Sequence, residues 1–139
     1  MIQRQSHSTV YVTDQREALE FYRDKLGFEV RTDVSMDDEG TFRWLTVSPK
    51  GQPDLEIVLM PIAQAPALDA EKAEQMEDLV RSGALGIGVF ETDDIHGDHE
   101  RLSRQGVEFV SPPREQFYGI EAIVKDNSGN FFSLTQRKQ

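Results

Sequence analysis

Hydrophobic and polar positions change their spacing several times along the chain, and the changes come in the same order twice. Residues 9–12 (Thr-Val-Tyr-Val) are β-branched and aromatic, which predicts a strand. From Asp14 onward the spacing lengthens: Ala18, Leu19, Phe21, Tyr22 and Leu26 recur at the three- and four-residue intervals of one buried helix face. Asp14 with Glu17 three residues later forms a capping-box-like start, and Gly27 supplies a left-handed C-terminal cap. Three strands are expected next, over 29–35, 42–47 and 54–60. The turn signals Asp37-Asp38-Glu39-Gly40 and Ser48-Pro49-Lys50-Gly51-Gln52-Pro53 separate them.

The second half follows the same plan. A strand over 85–90 and a helix over 94–104 closed by Gly106 lead into strands over 107–110, 120–125 and 131–136. Asp126-Asn127-Ser128-Gly129-Asn130 joins the last two as a tight hairpin. A gapless shift of 79 positions aligns Val10 with Val89, Tyr11 with Phe90, Thr13 with Thr92, Asp14 with Asp93, Gly27 with Gly106 and Glu29 with Glu108. The chain is therefore expected to be one domain over 1–139, made of a repeat unit at 1–60, a linker at 61–83 and a second unit at 84–139. Within the linker, 70–81 is expected to be a short acidic helix.

Composition narrows the chemistry. No stretch approaches the roughly 20 apolar residues that span a bilayer, and the N-terminus lacks a secretory pattern, so a cytoplasmic protein with no membrane partner is expected. With no cysteine, disulfides, zinc–thiolate sites and thiol nucleophiles are excluded. The net charge of −10 and the absence of a basic stripe argue against nucleic acid as a partner. A carboxylate-lined groove would instead attract a cationic small molecule.

His7-Ser8-Thr9-Val10-Tyr11-Val12-Thr13-Asp14, Ala18-Leu19-Glu20-Phe21-Tyr22, Leu26-Gly27-Phe28, Thr92-Asp93-Asp94-Ile95, Gly106-Val107-Glu108-Phe109, Tyr118-Gly119 and the turn at 126–130 occur in order. Taken together they resemble the vicinal oxygen chelate superfamily, also called the glyoxalase/bleomycin-resistance/dioxygenase superfamily, over nearly the whole chain. In the final turn Asn127 stands where the family has proline. The resemblance implies an α+β fold of two βαβββ units related by pseudo-twofold symmetry. Each is a curled mixed sheet with a packed helix, and paired units enclose a cavity, often in a homodimer.

Alternation then sorts the strands. Val10 and Val12 are expected on the helix, with His7, Thr9 and Tyr11 on the cavity side. Leu55, Ile57 and Leu59 are likewise inward, with Asp54, Glu56 and Val58 on the cavity side. Family enzymes hold a divalent ion with a His from the first strand and a carboxylate from the last strand of each unit, and His7 and Glu56 match those positions. Imidazole and carboxylate suit Fe, Mn, Ni, Co or Zn. In the second unit the shift of 79 places Gly86 opposite His7, and Ser133 is taken as the counterpart of Glu56, so both ligands are missing. No cofactor is expected on that basis, and a divalent ion only if a residue such as Glu121 completes the set. His96 and His99 lie three apart on an acidic helix, without metalloprotease spacing, and are best explained as a solvated face.

Gly86 and Gly88 leave space on the second unit's cavity side. Trp44, Phe117 and Tyr118 are candidate aromatic walls, with Asp54, Glu56 and Glu121 as candidate partners for a cationic ligand. Two readings remain. One is a small-molecule-binding protein with a degenerate metal site and ligand contacts at Trp44, Phe117, Tyr118 and Glu121. The other is a metal-dependent lyase, isomerase or dioxygenase acting on a vicinal-oxygen substrate through His7 and Glu56.

Overall fold

A computed structural model describes residues 1–138. The chain divides into two compact units, Met1–Asp78 and from Leu79 onward.

In the first unit the order is β1 (His7–Val12), α1 (Gln15–Leu19) continuing as a π-helical segment (Glu20–Lys25), β2 (Glu29–Ser35), β3 (Arg43–Ser48) and β4 (Glu56–Pro61). The sheet runs β1-β4-β3-β2. β1 is parallel to β4 with His7 opposite Glu56, whereas β3 is antiparallel to both of its neighbours. Asp14 caps α1 as expected, its Oδ1 accepting from the Glu17 amide at 2.9 Å. The helix lies against β4. On that side Val10, Val12, Leu45, Val47, Ile57 and Leu59 are buried with Ala18, Phe21 and Tyr22 of the helical segment.

The other face departs from expectation. Val58 and Met60 form a second apolar cluster with Ala65, against which Tyr11, Phe42, Trp44 and Leu68 pack. The chain after β4 turns back through a 3-10 turn at Ile62–Gln64 and lays Ala65 and Leu68 over the strand ends. Val58, expected to face a cavity, is instead only 2% exposed beneath this segment. Asp54 is not on β4 at all. It sits in the exposed turn before the strand, where its carbonyl accepts from Arg4.

The helix α2 (Ala70–Arg81) follows, and then the second unit repeats the plan with β5 (Gly86–Glu91), α3 (Ile95–Arg104), β6 (Phe109–Gln116), β7 (Gly119–Lys125) and β8 (Phe131–Arg137). The sheet order β5-β8-β7-β6 copies that of the first unit. β6 is longer than the expected 107–110 and runs through Pro112 and Pro113. It is an edge strand, where a proline that lacks its N–H need not break a ladder. Phe117 and Tyr118 are accordingly the two-residue turn of the β6–β7 hairpin.

The repeat is not gapless. β5 carries a bulge between Gly86 and Val89, with Gly88 at φ +122°, and two residues stand opposite Phe132 where one would do. In the first unit the extra residue lies in the helix instead. Leu26 N–H reaches the Phe21 carbonyl five residues back, the signature of an insertion into an α-helix. The capping aspartates Asp14 and Asp94 are thus 80 positions apart, whereas the left-handed Gly27 and Gly106 after the helices are 79 apart. The two insertions cancel, which is why counting by 79 works on both sides of them.

Candidate functional site

Each sheet carries a polar constellation on the face away from its helix. In the first unit β1 and β4 bring His7 and Glu56 side by side, with His7 Nε2 3.3 Å from Glu56 Oε2. Thr32 from β2 and Thr46 from β3 both donate to Glu56 Oε1 at 2.6 Å, and His7 Nδ1 shares a hydrogen bond with Ser6 Oγ. The Trp44 ring stands 6.2 Å from the His7 ring. The two threonine hydroxyls, then His7 and Arg31, hold the Glu56 carboxyl below its ordinary range, against the opposing effect of burial.

The separation of His7 Nε2 and Glu56 Oε2 suits joint ligation of one ion at about 2.0–2.2 Å each. The donor set stops there. Among the described residues no three His, Cys, Asp or Glu side chains come together. Glu56 Oε1 is already engaged by two hydroxyls. A catalytic ion takes three protein ligands and keeps a position open, and two donors do not fit that requirement.

The strand registers identify the counterparts in the second unit. His7 pairs with Glu56 and Thr9 with Val58; Gly86 pairs with Phe131 and Val89 with Ser133. Gly86 therefore stands for His7, as counted from sequence. The counterpart of Glu56 is Phe131, two residues before the Ser133 taken from sequence, because the pairing register and not the count sets it. The Phe131 ring covers Gly86 so closely that a Cβ there would lie 2.7 Å from its Cζ. Where the first unit has imidazole on carboxylate, the second has phenyl on glycine.

Further along the same face of the second sheet lies a groove of about 470 Å³ lined by Val89, Glu91, Tyr118, Glu121, Thr135, Arg137 and Lys138. Val89 is 63% exposed here, although matching it to Val10 had implied burial; the bulge moved it to the other face. Tyr118 Oη donates to Glu121 Oε1 at 2.7 Å and Ser133 Oγ donates to Oε2, so the hydroxyls hold the Glu121 carboxyl below its usual range. The same bond pushes the Tyr118 phenol up. Glu91 pairs with Arg137 at 3.0 Å.

Of the residues proposed from sequence, the structure thus joins His7 to Glu56 and Tyr118 to Glu121. Phe117 does not line the groove; it is 88% exposed and packs edge-on against Tyr118 at 5.0 Å. Trp44 belongs to the apolar cluster of the first unit. Sequence reasoning missed Thr32 and Thr46, and also Glu91, Thr135, Arg137 and Lys138. Alternation along β8 from Ser133 would have found Thr135 and Arg137.

Comparison with known proteins adds a frame. The model of the Glyoxalase/Bleomycin resistance protein/Dioxygenase superfamily matches residues 4–134. The uncharacterized protein YetH of Bacillus subtilis (strain 168) is 34% identical over 136 residues, covering 98% of this chain and all of YetH. Among solved structures, UcmS2 superposes with a TM-score of 0.89 at 42% identity over 97% of this chain and 98% of its own. TnmS3, an antibiotic binding protein from Streptomyces sp. CB03234, does so with a TM-score of 0.75 at 30% identity over 99% and 98%.

Proposed function

The chain belongs to the Glyoxalase/Bleomycin resistance protein/Dioxygenase superfamily, and on that premise we propose that it is a cytoplasmic protein that binds a small molecule in the groove of its second sheet, without a resident metal. A fold that hosts many chemistries leaves function to the site. The observation that carries the reading is the pair Gly86 and Phe131, which replaces the only strand-paired imidazole and carboxylate of the first unit with an apolar contact. An open groove with an aromatic wall and a few placed polar groups suits a ligand. The similarity to TnmS3, named for binding an antibiotic, supports it.

His7 and Glu56 at 3.3 Å favour the second reading, a metal-dependent lyase, isomerase or dioxygenase. Metal analysis of protein purified without chelator separates the two. We expect well under one transition-metal ion per chain. One equivalent that disappears in both His7→Ala and Glu56→Gln would overturn the binding reading. We also propose a homodimer, because Val89, Val110 and Phe117 leave apolar surface in water. Sedimentation at micromolar concentration should give twice the 15.8 kDa chain mass, and a monomer refutes it.

A further inference from the structure

The two carboxylates in the groove have unequal partners. Glu91 is neutralised by Arg137 at 3.0 Å. Glu121 has hydroxyls alone: Tyr118 on Oε1 and Ser133 on Oε2. Among the described residues no Lys, Arg or His pairs with it, and Arg114, opposite it in the β6–β7 register, is exposed without bonding to it. Glu56 shows the completed form of the same arrangement. It too is braced by two hydroxyls, and there His7 Nε2 supplies the third group at 3.3 Å.

We infer that the space in front of Glu121, beside the Tyr118 ring, is a cation subsite that takes the primary ammonium group of the ligand. The inference rests on the groove being a ligand site and adds the class of molecule it selects. Each carboxylate oxygen can accept more than the one hydroxyl bond it has, so Glu121, which lines the groove, keeps acceptor capacity to spare. Neutral donors orient the carboxylate without cancelling its charge, and the lowered pKa keeps it ionised at neutral pH. Tyr118 lines the same groove, and the face of a tyrosine ring attracts a cation. Thr135 Oγ1, 3.1 Å from Ser133 Oγ, adds a hydroxyl oxygen that can accept a further N–H. An ammonium has three N–H groups to distribute over such acceptors. A neutral ligand would leave the Glu121 charge without a cation, and an anionic group placed against Glu121 would be repelled by it, Arg137 and Lys138 being the groove's own cations.

The test is an NMR titration of the ¹⁵N-labelled chain with three probes of one shape: benzylammonium, benzyl alcohol and benzoate. Benzylammonium should shift the amides of Val89, Tyr118, Glu121 and Thr135 and bind roughly tenfold more tightly than benzyl alcohol, the gain of one partly exposed ion pair with a cation–π contact. Benzoate should bind more weakly than benzylammonium. In Glu121→Gln the tenfold gap should close while the benzyl alcohol response persists. Equal binding of the ammonium and the alcohol in the unaltered chain overturns the cation subsite and leaves the binding groove standing. Groove amides that respond to none of the three probes overturn both. The three-probe comparison needs no variant, so it decides even if Glu121→Gln fails to fold.

Discussion

Thr46→Val isolates one bond of the Glu56 constellation. Thr46 is fully buried on β3, and valine keeps its shape while removing the hydroxyl that donates to Glu56 Oε1. A hydrogen bond to a charged group contributes about 1.5–3 kcal/mol. Thr32 and His7 remain in place and the Glu56 side chain is 25% exposed, so the low end, about 1.5 kcal/mol, is the expected loss at pH 7. For a chain of this length that corresponds to a melting temperature lower by about 6 °C. The pH dependence gives the decisive reading. Glu56 has a folded pKa below its unfolded value, so its contribution is fully present above the unfolded pKa of about 4.3 and is lost as pH falls through the depressed folded value. The gap between wild type and variant should therefore be constant from pH 7 to 5 and narrow only once the carboxyl is protonated in the folded variant, where Thr32 and His7 still hold it below the ordinary range. Urea unfolding of both proteins from pH 7 down through the acid limb, as far as both still fold, measures it. A gap that stays unchanged over that whole range would show that the lost hydroxyl was not serving a carboxylate, and the account of this site would fall.

Gly119→Ala should be far more damaging than an exposed-turn substitution suggests. Gly119 has φ +147°, and a Cβ would lie 2.2 Å from the Gln136 carbonyl oxygen, so a loss of at least about 3 kcal/mol is expected in denaturant unfolding; a loss under about 1 kcal/mol refutes the close approach. Gly86→Ala should cost about 1–2 kcal/mol by crowding the Phe131 ring, and most of that should vanish in a Phe131→Leu background. Additive losses in the double-mutant cycle would mean that the ring does not cover the glycine.

Much of the fold was legible because its signals are local. Asp14 and Glu17 marked one helix start, Asp94 the other, and Gly27 and Gly106 the two ends. β2 and α2 fall on the predicted 29–35 and 70–81. What failed depends on neighbours in space. The strand expected over 107–110 stops short of Pro112, whereas β6 continues through both prolines, which its place at the sheet edge allows. Alternation on β4 put Val58 in a cavity, but the segment holding Ala65 and Leu68 folds back over it, and alternation cannot see a covering segment. At the site, His7 and Glu56 were found because they match the ligand positions of the family that the chain resembles, and strand parity puts both on one face. Thr32 and Thr46 were not, because they become partners of Glu56 only through the order in which β2, β3 and β4 pair.

A strand is read two residues at a time, so the single extra residue at Gly88 acts as a frameshift, and the extra residue in the helical segment Glu20–Lys25 is its suppressor in the other half. One added residue turns a strand side chain to the opposite face and rotates a helix by about 100°. The strand from His7 to Val12 could not be exchanged alone for Gly86 to Glu91, nor one helix for the other, without throwing the elements that follow out of phase. Strand and helix together, from position 7 to 27 in one half and from 86 to 106 in the other, are equal in length and in phase at both ends. That pair is the smallest interchangeable cassette in the chain, and any transplant of binding residues between the halves has to respect its borders.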